Sequence, residues 1–96
     1  MPEMTFEVRW PDGSEVSCYS PSLVMHDYLD RGATYSVDEF VRRSSAALDL
    51  ASERVLATYG FSCTSAIQQK SEIVATAAGF DTGTVEILRM EPGLPS

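Results

Sequence analysis

SVDEFVRRSSAALDLASERVLATYG, residues 36–60, reads as one long amphipathic helix, and it sets the size of everything packed on it. Ser36 stands three residues before Glu39, the spacing at which a hydroxyl accepts a free backbone N–H and the carboxylate reaches back. Asp38 and Glu39 also lie where the helix dipole favours negative charge. Val37, Phe40, Val41, Leu48, Ala51, Val55 and Leu56 recur on one stripe, with Ala47 and Tyr59 at its edges. Arg42, Arg43, Asp49, Ser52 and Glu53 fall mostly away from it. Gly60 suits the left-handed position that ends a helix. Such a helix is roughly 35 Å long, whereas a compact domain of this chain length has a radius of gyration of only about 12–13 Å. The helix therefore spans the domain.

Before it, Met4, Phe6, Val8 and Trp10 alternate with polar residues, which predicts a half-buried strand. Pro11-Asp12-Gly13 supplies turn chemistry, and residues 15–20 return as a second strand. A three-residue loop sets Trp10 opposite Ser14, Val8 opposite Val16 and Phe6 opposite Cys18. It also pairs Arg9 with Glu15 on the other face, and a slip of one residue would destroy both agreements. Ser20 could cap a short helix that starts at Pro21 and packs through Leu23, Val24, Tyr28 and Leu29, with Asp30-Arg31-Gly32 ending it; an irregular segment is the alternative. After the long helix, Ser65 and Gln68 form a second capping box. A helix to about Ala78 then has Ile67, Ile73, Val74 and Ala77 as its core side, and Phe80 anchors its exit. Asp81-Thr82-Gly83 turns the chain into a strand over 84–90, with Val85 and Ile87 inward.

The expected fold is α+β in two layers: a three-stranded sheet, made of the hairpin and the C-terminal strand, covered on one face by two helices. It occupies 1–90 as a single domain, with 91–96 as a flexible tail. The last strand is placed beside the first, its direction left open. Glu7, Arg9, Glu15 and Tyr19 mark the opposite face, which is either solvated or an interface.

The 96 residues suffice for one core. Fourteen acidic against seven basic residues give a formal charge of −7, a field that repels phosphate backbones and anionic membrane surfaces. No apolar run approaches the ~20 residues of a membrane span, and the N-terminal MPEMTFEVRW lacks the basic and apolar regions of a signal peptide. The expectation is a cytoplasmic protein whose two cysteines are thiols.

Few residues offer chemistry. Cys63 precedes a helix N-terminus, where the dipole lowers a thiol pKa, and Ser62, Thr64 and Ser65 surround it with hydroxyls. The simpler reading is that the hydroxyls cap the helix while Cys63 packs as a small apolar group. Cys18 falls on the inward face as a structural thiol. The single histidine, His26, has no cysteine or second histidine at ligand spacing, so neither a metal nor another cofactor is expected. Ser52-Glu53-Arg54 is either a solvated helix face or a surface turned to a partner. Tyr19 and Trp10 could form an aromatic patch, although Trp10 suits the core better. There is no P-loop, GxGxxG, HExxH or GxSxG.

MPEM at 1–4, RWPDGS at 9–14, CYSPSLV at 18–24, ASERV at 51–55 and YGFSC at 59–63 together resemble a small bacterial family of nitrogen-starvation-response proteins. The resemblance covers Met1 to about Phe80; the 84–90 strand and the tail match less clearly. It includes the motif positions Cys18, Tyr19, Ser20, Pro21, Ser22 and Cys63. It supplies no catalytic activity. The family's genes typically stand beside a nitrilase-like hydrolase, a radical enzyme, an acetyltransferase-like protein and a flavin-dependent oxidoreductase. The resemblance therefore implies nitrogen scavenging of a nitrile or cyanide type. The leading expectation is an accessory or interaction protein without catalytic activity, partnering enzymes of that pathway or pairing as a homodimer. One alternative is a small thiol-dependent enzyme or carrier using Cys63, with Cys18, Tyr19, Ser20, Ser62, Thr64 and Ser65 as ligand-binding candidates. The other is a small-ligand sensor using the groove between the helices and the 21–32 segment.

Overall fold

The computed structural model describes residues 3–60 and 64–92. The opening hairpin pairs β1 (Met4–Arg9) with β2 (Glu15–Ser20) in antiparallel register, Phe6 opposite Cys18, Val8 opposite Val16 and Arg9 opposite Glu15. Trp10 donates its amide to Ser14 O at 2.8 Å, closing the three-residue loop as the alternation requires. Asp12 helps to shape that loop: its carboxylate accepts from the Ser14 hydroxyl and amide, and these bonds hold it below the usual carboxylate range.

The chain then makes a short 3₁₀ turn, Leu23–Asp27, capped by Ser22, whose Oγ accepts from Val24 N at 3.3 Å. Ser20 is therefore not the cap. It is buried, and its hydroxyl donates to Ser22 O at 2.7 Å. Met25, absent from the predicted packing side, is fully buried beside Val24 and Leu29.

The sheet has four strands rather than three. The addition is β3 (Thr34–Ser36), which pairs antiparallel with β4 (Thr84–Glu91) and gives the order β2-β1-β4-β3. Three residues are too few for an alternation to register. Their partner strand lies about fifty positions downstream, so no local signal announces the pairing. β4 sits beside β1, antiparallel, with a one-residue bulge opposite Glu7 and Val8 that leaves Leu88 over. Glu91, assigned to the tail by composition, closes β4 opposite Thr5. On the outward face Arg9 is held between Glu15 at 3.0 Å and Glu86 at 3.1 Å, tying three strands together.

β3 runs directly into α1 (Val37–Tyr59). Ser36 caps it, its Oγ accepting from Glu39 N at 3.2 Å, and Gly60 ends it in the left-handed conformation, φ +79°. The reciprocal half of the capping box does not form. Ser36 is already paired with Thr84 in the sheet, and the Glu39 carboxylate instead accepts from Arg42 and Arg43. Arg43 also donates to Tyr28 O at 3.1 Å and lies over the Tyr35 ring at 5.0 Å, while the Tyr35 hydroxyl accepts from Asp30 N. This cluster fastens the 28–35 connection to α1. Ser44 is an unforeseen core residue: fully buried, it donates to Phe40 O at 2.7 Å within its own helix and so brings no unsatisfied group inside.

α2 (Thr64–Ala77) starts one residue before Ser65, so Ser65 lies within the helix and does not cap it. Gln68 donates to Glu72 instead, at 3.2 Å. The buried side of α2 is Ala66, Gln69 and Ile73, with Ala77 half-buried on the core; of the predicted core side Ile73 and Ala77 face inward, whereas Ile67 and Val74 are exposed. One cluster joins Met4, Phe6, Val8 and Trp10 of the first hairpin, Cys18 of β2 and Val85, Ile87 and Met90 of β4 to Phe40, Ala47, Leu48 and Ala51 of α1 and Ala66 and Ile73 of α2.

Candidate functional site

The seam between β2 and α2 gathers most of the sequence-predicted ligand residues that the structure describes. β2 is an edge strand. Such a strand leaves every second backbone group without a ladder partner. Trp10 N donates to Ser14 O, and counting in twos from that pair along the register the amides of Glu15, Ser17 and Tyr19 point outward. α2 covers one of them: Gln69 Oε1 accepts from Tyr19 N at 3.0 Å. Gln69 thus stands in for a strand carbonyl, which explains a buried amide on the core side of a helix.

Two shallow depressions flank that bond. One, of ≈240 Å³, is lined by Tyr19, Ser65, Gln68, Gln69 and Glu72. The other, of ≈220 Å³, is lined by Trp10, Val16, Cys18, Gln69, Glu72, Ile73 and Thr76. Tyr19 and Ser65 therefore meet in one, Cys18 lines its neighbour, and Gln69 and Glu72 border both. Neither Gln69 nor Glu72 is singled out by the sequence reading. For Gln69 a signal existed, since a polar residue at a core-facing helical position, between Ala66 and Ile73, calls for a buried partner. Ser20 is engaged with Ser22, and Thr64 is exposed at the start of α2. Cys63 and Ser62 lie outside the described residues, and the thiol reading goes with them. Of Ser52, Glu53 and Arg54, the first is half-buried and the others exposed on α1.

Cys18 is only 2% exposed, and burial, with a smaller contribution from Glu72, pushes its thiol up to about 12. A group so placed is a poor nucleophile at neutral pH. His26 lies elsewhere: its Nε2 is 2.9 Å from Pro92 O, beyond the end of β4. Among the described residues no three or more His, Cys, Asp or Glu side chains are placed to hold a metal ion, and no helix is long and apolar enough to cross a membrane.

Two expectations follow. Gln69→Ala leaves Tyr19 N–H to solvent and should cost about 1 kcal/mol; hydrogen exchange at Tyr19 should accelerate in the variant, and unchanged protection would show that Gln69 does not guard the edge. For Cys18, the raised folded-state pKa means that the native state keeps its proton after the unfolded thiol has lost it. Its contribution is complete below the ordinary thiol pKa and is lost as pH climbs towards about 12. Denaturation midpoints from pH 8 upward should fall less steeply in Cys18→Ala than in the parent.

A small α+β domain with two helices, an antiparallel sheet and a helix-guarded edge strand is the class these features define. Within it, the family model described as nitrogen starvation-induced protein NitG matches residues 5–90, and the chain belongs to that family. No curated protein and no solved structure matches the chain.

Proposed function

We propose that the protein serves nitrogen-starved cells as a cytoplasmic accessory or interaction protein of a nitrile-type nitrogen assimilation pathway, without catalytic activity of its own. Membership of a nitrogen starvation-induced family supports the setting. The observation that carries the interaction role is on the helices: Leu56, Tyr59, Ile67 and Val74 are 49, 52, 54 and 44% exposed. Single exposed apolar residues are ordinary. Four large ones on two packed helices, beside a core already complete without them, suit a protein-contact surface. The test mixes the purified protein with the purified nitrilase-like hydrolase and its neighbouring enzymes and follows co-migration by light scattering. Retention of one enzyme that is lost on Leu56→Glu supports the reading. No association with any of them at about 100 µM, far above a functional affinity, refutes it.

A further inference from the structure

The two edges of the sheet are finished differently. β3 is three residues long and runs straight into α1, so it offers almost no edge. β2 is six residues long and carries no lysine, proline or bulge, the usual guards of an exposed edge. α2 covers it only at Tyr19, through Gln69. The outward amides of Glu15 and Ser17 have no acceptor among the described residues, and Val16 between them is 41% exposed. The cap itself is only half used. Gln69 is 9% exposed, and the Tyr19 N–H fixes which end of its carboxamide is the oxygen. The other end, Nε2, is a donor of two hydrogens with no acceptor among the described residues, and it is not sealed from solvent. Gln69 borders both depressions, so the unused donor opens there. A buried amide in this state asks for a partner. Glu72, on the same rim, accepts from the neutral Gln68, while Lys70, the one cation of α2, is engaged with Asp49.

We infer that β2 takes up an extended, basic segment of a partner protein as an added strand, paired at Glu15 and Ser17 and ended by Gln69. The inference rests on the interaction role proposed above and names the chemistry its partner brings, at a contact separate from the exposed apolar residues of the helices. The outward N–H and C=O groups of Glu15 and Ser17 are the complement of a peptide backbone, and main-chain bonds of this kind supply affinity whatever the sequence. Gln69 stands where the next peptide group of an added strand would lie. Its oxygen already does that group's accepting, and its nitrogen remains to donate to a carbonyl of the arriving chain. A residue opposite Val16 shares its face and enters the depression lined by Trp10, Val16, Ile73 and Glu72. A lysine or arginine there lays its stem on Val16 and its charge beside Glu72. Charge also argues against a second copy as the occupant: Glu15 is the only charged residue of β2, and two chains of net charge −7 repel one another.

The test titrates the capped peptide acetyl-Val-Lys-Val-Lys-Val-Lys-amide into the nitrogen-15-labelled full chain and follows the backbone amides and the Gln69 side-chain amide by nuclear magnetic resonance. The Glu15, Ser17 and Gln69 Nε2 signals should shift together, with Kd at about 0.1–1 mM. The same peptide N-methylated at alternate amides keeps its charge but cannot pair, and should bind at least about tenfold more weakly. Ser17→Pro removes one outward N–H at a position where an edge strand accepts proline, and should abolish binding with the far-ultraviolet circular dichroism unchanged. Glu72→Gln, at an exposed helical position, should weaken binding about threefold or more. No shift at these amides up to about 5 mM peptide, or equal binding of the N-methylated peptide, overturns the inference. Shifts at Glu15 and Ser17 that follow protein concentration alone give the edge to a second copy and also overturn it. Peptide binding by a protein that co-migrates with no pathway enzyme leaves the added strand standing and removes the accessory role. Co-migration without any peptide binding does the reverse.

Discussion

Phe40→Ala should melt at least about 12 °C below the parent. Phe40 is fully buried near the start of α1, and Trp10 meets its ring edge-on, centroids 5.4 Å apart at 90°. Trp10 in turn stacks on Phe80 at 5.8 Å. Phe40 is therefore the α1 member of an aromatic row that begins on the helix, crosses the end of the hairpin and reaches the exit of α2. Truncating a buried Phe to Ala costs about 3–5 kcal/mol, part transfer free energy and part cavity, and loss of the edge-to-face contact belongs to the same sum. A domain of this length has only about 5–14 kcal/mol in total. At about 4–8 °C per kcal/mol, the shift follows. Trp10 is the only tryptophan, so its fluorescence reports the site directly, and emission should move to longer wavelength as water gains access. Phe80→Ala is the control: Phe80 is half-buried, and its loss should cost clearly less. A Phe40→Ala protein melting within about 3 °C of the parent would mean that the helix and the hairpin do not share this core.

The inward placement of Phe40 and Trp10 is legible in the sequence, although their contact with each other and with Phe80 is not, and the reason is local. The register of the hairpin follows from alternation over six residues and one turn, and a single residue of slip is punished on both faces. The span of α1 follows from Ser36 and Gly60, residues whose backbone preferences act whatever lies nearby. What failed to show were features decided by distant parts of the chain. β3 is three residues that become a strand only because β4 returns beside them. The outward exposure of Ile67 and Val74 could not be read, because α2 carries apolar residues on two sides and periodicity does not say which side meets the sheet. Packing chose Ala66, whose small side chain lets the helix come close, over the larger Ile67. Gln69 is the same lesson at the candidate site. Its position fits the buried side, its chemistry does not, and only the outward amide of Tyr19 reconciles them. Cys18 was read correctly as inward because it shares the hairpin register with Phe6.

The turn that leads into β4 offers the second large effect. Gly83 has φ +111°, a backbone region that residues bearing a Cβ rarely occupy, at a cost of order 1–3 kcal/mol. Its surroundings add a further constraint. A Cβ built there would lie 2.7 Å from Pro11 Cβ and 2.8 Å from Pro11 Cγ, both on a rigid ring that cannot swing aside. The hairpin turn and the 81–83 turn thus touch at a point where only a glycine fits. Moving Gly83 is not free either, since its carbonyl accepts from Val37 N at 3.3 Å at the head of α1. Gly83→Ala should therefore cost about 2–5 kcal/mol, strain and overpacking together. Two comparisons separate the contributions. Gly13 has a similar backbone, φ +87°, and nothing within 4 Å of its built Cβ, so Gly13→Ala pays strain alone and should cost about 1–2 kcal/mol. Pro11→Gly removes both clashing carbons. In the Gly83→Ala background it should recover about 1–2 kcal/mol beyond additivity, read as the coupling energy of a double-mutant cycle in urea. Equal losses from Gly83→Ala and Gly13→Ala, with no coupling to Pro11, would show that the two turns do not touch, and β4 would then owe its place in the sheet to pairing with β1 and β3 alone.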